Sequence, residues 1–142
     1  MAVTPIRHQA SARGSNPETV LSTGLNSLAS GSGATSAAIS NTELDTLADL
    51  EFVCGSITPG SNAIVDLYLV GTVDGTNYGD TPGLLVGAWT ITSGTGAKRE
   101  FITGVPVPPR DHKWHVVQRT GVTLPASGNT VKAYYYRAGS GS

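Results

Sequence analysis

Apolar and polar residues alternate strictly over several short stretches, and the clearest is Val65–Asp80. Val65, Leu67 and Leu69 fall on one face and Asp66 and Tyr68 on the other, the period-2 signature of a half-buried strand. Asp74-Gly75 follows, a strong turn signal because Gly tolerates positive φ and Asp bonds the local backbone. The same reading predicts strands over Leu47–Ile57, Ala63–Thr72, Leu84–Thr92, Ala97–Thr103, Lys113–Thr120 and Thr130–Arg137. On the first of these, Leu50, Phe52 and Cys54 share a face opposite Asp49, Glu51 and Val53. On Leu84–Thr92, Leu85, Trp89 and Ile91 are expected together, with Gly87 marking a bulge or a close approach.

Elements between these strands read less clearly. Leu25–Ser30 and Ala34–Ser40 flank Gly31-Ser32-Gly33 and read as a hairpin of small residues, the alternative being a flexible linker. Lys98, Arg99 and Glu100 on one short strand suit a sheet edge. Val105-Pro106-Val107-Pro108-Pro109 lacks the donors of a central strand and reads as an extended crossover between sheets. Residues 1–24 show no sustained period and are expected to form an extended N-terminal arm, with one short strand near Thr19–Thr23. Residues 25–137 form the sandwich domain and 138–142 a flexible tail. The fold class is therefore all-β, an antiparallel, jelly-roll-like β-sandwich.

Composition supports this reading. The 142 residues hold 18 glycines and only 13% charged residues, while 39% hydrophobic content argues against disorder. The net charge of −1 does not suggest a nucleic-acid binder, and no stretch is long and apolar enough for a membrane span or a secretory signal. Met1 to Pro17 carries Arg7, His8 and Arg13 with no acid, a mildly basic arm suited to an acidic surface or to a solvated terminus.

Catalytic and metal chemistry find little support. Cys54 is the sole cysteine, so neither an internal disulfide nor a cysteine metal cluster is available. His112 and His115 sit three apart on a strand and point to opposite faces. Asp74, Asn77 and Asp80 depart from the calcium-loop spacing and suit a turn better. No nucleophile elbow, Walker loop or marked carboxylate pair appears. No enzyme, cofactor or metal site is expected. The strongest binding feature is Tyr134-Tyr135-Tyr136, in which Tyr135 should enter the core while Tyr134 and Tyr136 face outward.

The strand leading into Asp74-Gly75-Thr76-Asn77-Tyr78, the later Val105–Pro109 run, Arg119-Thr120-Gly121 and Ala126–Val131 together resemble small virion proteins of tailed bacteriophages. The resemblance spans Leu25 to Tyr136. It implies a decoration (cement) protein on the capsid exterior, made in the host cytoplasm. Its partner would be the major capsid protein, and it would form a homo-oligomer (dimer or trimer) on the head. The interface residues are then expected to be Pro5, Ile6, Arg7, His8, Arg13, Tyr134 and Tyr136. A tail-fibre or head-fibre module binding host-surface glycans is the alternative.

Overall fold

A computed structural model describes residues 6–140, with side chains from His8 to Arg137. Among these residues the chain forms β1 (Ile6–Ala10), β2 (Glu18–Leu21), β3 (Gly33–Thr35), β4 (Leu47–Ile57), β5 (Ile64–Gly71), β6 (Leu84–Thr90), β7 (Gly96–Pro106), β8 (His112–Arg119) and β9 (Thr130–Ser140), plus one 3-10 turn, Thr23–Leu25. All pairings are antiparallel. One sheet has the order β7-β4-β9, with β1 and β2 both bonded to the far side of β9; the other has the order β3-β8-β5-β6.

The pairings nest. β5 pairs with β6, β4 with β7, β3 with β8 and β2 with β9, successive pairs lying in alternate sheets. This is one long hairpin, folded at the loop after β5 and rolled into two layers, which is a jelly-roll sandwich. The Asp74-Gly75 loop therefore sits at the tip of the innermost hairpin. There Asp74 Oδ1 accepts from the amides of Thr76 (2.8 Å) and Asn77 (2.7 Å), and Oδ2 accepts from Asn77 Nδ2 (2.8 Å). These bonds, led by the Asn77 amide, hold the Asp74 carboxyl well below its usual range. Both oxygens serve the turn, as expected.

Inward positions fill the space between the sheets: Leu50, Phe52 and Cys54 from β4, Val65 and Leu67 from β5, Trp114 and Val116 from β8, and Val131, Ala133 and Tyr135 from β9. Burial pushes the Cys54 thiol up, so it behaves as a small hydrophobe. Trp89 of β6 packs on Phe52, ring centroids 5.7 Å apart, and its Nε1 donates to the Leu50 carbonyl at 3.3 Å.

At the centre of one half of this core lies a closed polar chain. Trp114 Nε1 donates to the Tyr135 hydroxyl at 2.8 Å, and His112 Nε2 lies 2.9 Å from the same oxygen. His112 Nδ1 is 3.0 Å from the Arg110 carbonyl, which only accepts, so the ring proton sits on Nδ1. Nε2 is then the acceptor for the Tyr135 O–H. Every polar atom of the chain is paired while all three rings stay neutral. Burial pushes the His112 pKa down and the Tyr135 pKa up, fixing those neutral forms. The chain ties β8 in one sheet to β9 in the other.

Four expectations are corrected. Residues 6–21 are part of the sheet rather than a projecting arm: β1 covers Tyr136–Ser140 and β2 covers Val131–Ala133. In the gap, Asn16 bonds Tyr135 on both sides, its Nδ2 donating to the carbonyl (2.9 Å) and its Oδ1 accepting from the amide (2.8 Å). The β1 pairing and the Asn16 bonds use backbone and one side-chain amide and leave no hydrophobic period to read, whereas β2, expected near Thr19–Thr23, buries Val20 and Leu21. Residues 138–140, expected in a flexible tail, are the partners of Ile6–His8.

The hairpin expected over 25–40 is absent: only Gly33–Thr35 is strand, paired with β8. The preceding loop is pinned instead by the buried Gln118, whose Nε2 donates to the carbonyls of Leu28 (2.8 Å) and Val122 (2.7 Å). Finally, Leu85 is exposed while Trp89 is buried, because a bulge between Gly87 and Leu85 flips the alternation.

Replacing Tyr135 by Phe keeps the ring but orphans the Trp114 N–H and His112 Nε2. Urea denaturation of Tyr135→Phe should show a loss of about 1–3 kcal/mol for each group left unpaired; an unchanged midpoint would contradict the chain's role. The depressed His112 pKa also sets a pH dependence. Below the unfolded histidine value of about 6.5 the unfolded chain binds a proton that the folded chain refuses. Stability should fall as pH drops through that value. Thermal melts from pH 7.5 to 5 should show the fall, and His112→Gln should make it shallower, leaving the part due to His115, which burial depresses in the same direction.

Candidate functional site

The outer face of the five-stranded sheet is set by the same alternation that builds the core. With Leu50, Ala133 and Tyr135 inward, Asp49 and Glu51 of β4 and Lys132, Tyr134 and Tyr136 of β9 point out. On β7, Arg99, Phe101 and Thr103 take the outward phase. The register joins them in rows: Phe101 is opposite Glu51, which is opposite Lys132, and in the next row Asp49 is opposite Tyr134.

These rows form a groove of about 260 Å³ lined by Pro17, Asp49, Glu51, Phe101, Thr103, Lys132 and Tyr134. Two aromatic rings stand exposed in it, Phe101 at 64% and Tyr134 at 39%. Exposed rings on a strand's solvent phase have no core to pack into, so their faces are open to solvent. Acceptors and donors lie beside them. Asp49 Oδ1 accepts from the Tyr136 hydroxyl and from the Gly104 amide, each at 2.9 Å, so the carboxylate is fixed in place. Desolvation, followed by that bond to Asp49, raises the Tyr136 pKa. Glu51 is held by Arg99 at 2.7 Å. A second depression adjoins the first, lined by His8, Gln9, Ala10, Asp49, Tyr134 and Tyr136.

The opposite outer face offers less. There Tyr68 packs edge-on against His115 (6.0 Å), Lys113 lies over the Tyr78 ring (4.3 Å) and Arg119 pairs with Asp66 (2.9 Å). Its rings and charges are largely taken up by one another. His115 Nδ1 is 2.7 Å from Thr35 Oγ1 on this face, whereas His112 lies in the core, so the two histidines are separated as the strand period requires. Among the described residues no group of three His, Cys, Asp or Glu converges as a metal site would.

The expected interface residues are dispersed. Pro5 lies outside the described residues, and Ile6 and Arg7 belong to β1, opposite Ser140 and Gly139, with side chains outside the described set. His8, Tyr134 and Tyr136 do come together: His8 meets Tyr136 edge-on at 5.3 Å, and Tyr136 lies 6.4 Å from Tyr134. Arg13 does not join them. Its side chain is 9% exposed and bridges the fully buried Asp45 (2.9 Å) and Glu18 (3.0 Å), with the guanidinium 3.7 Å from the centre of the Tyr135 ring. It is a structural cation rather than a docking residue.

Residue-by-residue reading missed Phe101, Asp49, Glu51 and Lys132 as site residues. The usable signal was Phe101 on the polar phase of a charged strand, between Arg99 and Thr103. Its meaning depends on β7 and β9 flanking β4, which the sequence does not show.

No protein-family model matches the chain, and no curated protein is similar to it in sequence. Solved structures with a similar fold include a β-1,3-glucan-binding CBM6 from Bacillus halodurans, 9% identical, TM-score 0.43, over 96% of this chain and 87% of that one. A family 6 carbohydrate-binding module from Clostridium cellulolyticum in complex with xylose is 11% identical, TM-score 0.40, over 96% and 88%. The Yersinia pseudotuberculosis-derived mitogen is 13% identical, TM-score 0.27, over 93% and 86%. The expectation of a capsid decoration protein gripping a shell through a basic arm is corrected by the chain's own geometry: β1 and β2 are paired into the sandwich, and Arg13 is taken up by the buried Asp45.

The new role of Arg13 is open to a stability measurement. Arg13→Ala strands a buried Asp45 carboxylate and should cost about 3–5 kcal/mol. An exposed docking arginine would shift a denaturation curve by no more than about 0.5 kcal/mol.

Proposed function

We propose that this protein is a glycan-binding module that acts by binding rather than by turnover, with the outer groove of the five-stranded sheet as its site. The observation that carries the reading is the pairing of two exposed rings, Phe101 and Tyr134, with the fixed carboxylate of Asp49 in one groove. A pyranose has an apolar C–H face and a rim of hydroxyls. The rings suit the face and the carboxylates and Lys132 suit the rim, the mixture of apolar body and few placed polar groups that small-ligand sites use.

Two features favour binding over hydrolysis. A glycosidase places its carboxyls on either side of the scissile bond and keeps one as a proton donor. Asp49 and Glu51 instead stand two apart on one strand, and both are acceptors, from Tyr136 and Gly104 in one case and Arg99 in the other.

Affinity electrophoresis through gels containing xylan, laminarin, hydroxyethylcellulose or mannan tests the reading. At least one polysaccharide should retard the protein, and Phe101→Ala and Tyr134→Ala should each weaken retention about tenfold, roughly 1.4 kcal/mol. Retardation that survives both substitutions, retardation by none of the four, or release of reducing sugar would each contradict it.

A further inference from the structure

We infer that the site takes an electrically neutral chain of at least two consecutive pyranose units, seated in two subsites that share Asp49 and Tyr134. The inference rests on the glycan reading above and adds the length and charge of the ligand. The groove beside Phe101 and the depression beside His8 have these two residues in common and no others. They are therefore neighbouring compartments of one trough.

Aromatic groups continue through both. Phe101 lies two strands from Lys132 in one register row, and Tyr136 lies two rows further along β9. From strand spacing and rise, the Cα atoms of Phe101 and Tyr136 are about 17 Å apart. A single six-membered sugar ring is no wider than one aromatic ring and cannot touch both. His8, edge-on to Tyr136, closes the far end.

The shared residue Asp49 sets the charge at the junction, while Lys132, further along the first groove, stands opposite Glu51. One of its oxygens is occupied by Tyr136 and Gly104, which fixes the carboxylate at the junction of the subsites. Hydroxyls of adjoining units can donate to it, whereas a uronate or sulfate on either unit meets a like charge.

Isothermal titration of the full chain with glucose, cellobiose and cellotriose, with xylose and xylotriose, and with galacturonic acid oligomers tests this. In a series that binds, affinity should rise at least tenfold from monosaccharide to trisaccharide, and the acidic oligomers should bind more weakly than neutral ones of equal length. His8→Ala, on an outer strand, should lower trisaccharide affinity several-fold; a melting curve matching wild type confirms its fold, and the wild-type length series needs no variant. A monosaccharide that binds as tightly as its trisaccharide, or tighter binding of the acidic chains, overturns the two-subsite inference while leaving glycan binding intact. If no sugar of any length binds while polysaccharide gels also fail to retard the protein, the glycan reading itself falls and this inference with it.

Discussion

The structure depends on one strand, β9, having a different partner on every side. Its inward ring, Tyr135, accepts from Trp114 and donates to His112 across the sandwich, which locks the two sheets together at a fixed spacing. Its edge is bonded in turn by β1, the Asn16 amide and β2. Arg13 then covers the Tyr135 ring and neutralises the buried Asp45. A buried polar chain of this kind is stabilising only when complete, because each unpaired member carries its full desolvation cost. Completeness here requires β8 and the last strand at once, so residues in two different sheets are committed to one register.

That commitment is what produces the outer face. Strand pleating puts neighbours on opposite sides, so fixing Tyr135 inward forces Tyr134 and Tyr136 out. The pairing of β9 with β4 sets Tyr134 beside Asp49, and the pairing of β4 with β7 sets Glu51 beside Phe101. The groove is thus a by-product of core register, built on rigid strands instead of loops. Its chemistry follows: apolar rings at set intervals with acceptors between them.

Much of this was legible in the chain. The alternation in Val65–Leu69, Leu50–Cys54 and Tyr134–Tyr136 reports face directly, because burial is the physical cause of the pattern. Turn chemistry placed the Asp74-Gly75 loop for the same reason. What stayed hidden depends on partners. β1 is held by backbone bonds and the segment after it by the Asn16 amide, interactions that leave no periodic trace, and a bulge beside Gly87 reversed the phase of Leu85. Arg13 looked like a basic docking residue because its counter-ions Asp45 and Glu18, and the ring beneath it, are brought to it only by the fold. The site was half visible for the matching reason. Tyr134 and Tyr136 announce themselves, while Phe101 and Asp49 gain meaning only from strand order.

The most direct test is where a glycan touches the folded protein. Amide chemical-shift mapping of the ¹⁵N-labelled chain, titrated in turn with cellohexaose, xylohexaose and laminarihexaose, reads this residue by residue. Binding through the sheet face predicts the largest shifts at Asp49, Glu51, Phe101, Thr103, Lys132 and Tyr134, with the Asp74–Asn77 loop and the outer face of β5 and β8 unmoved. Shifts concentrated in the loops or on that opposite face, or none with any of the three sugars, would contradict it.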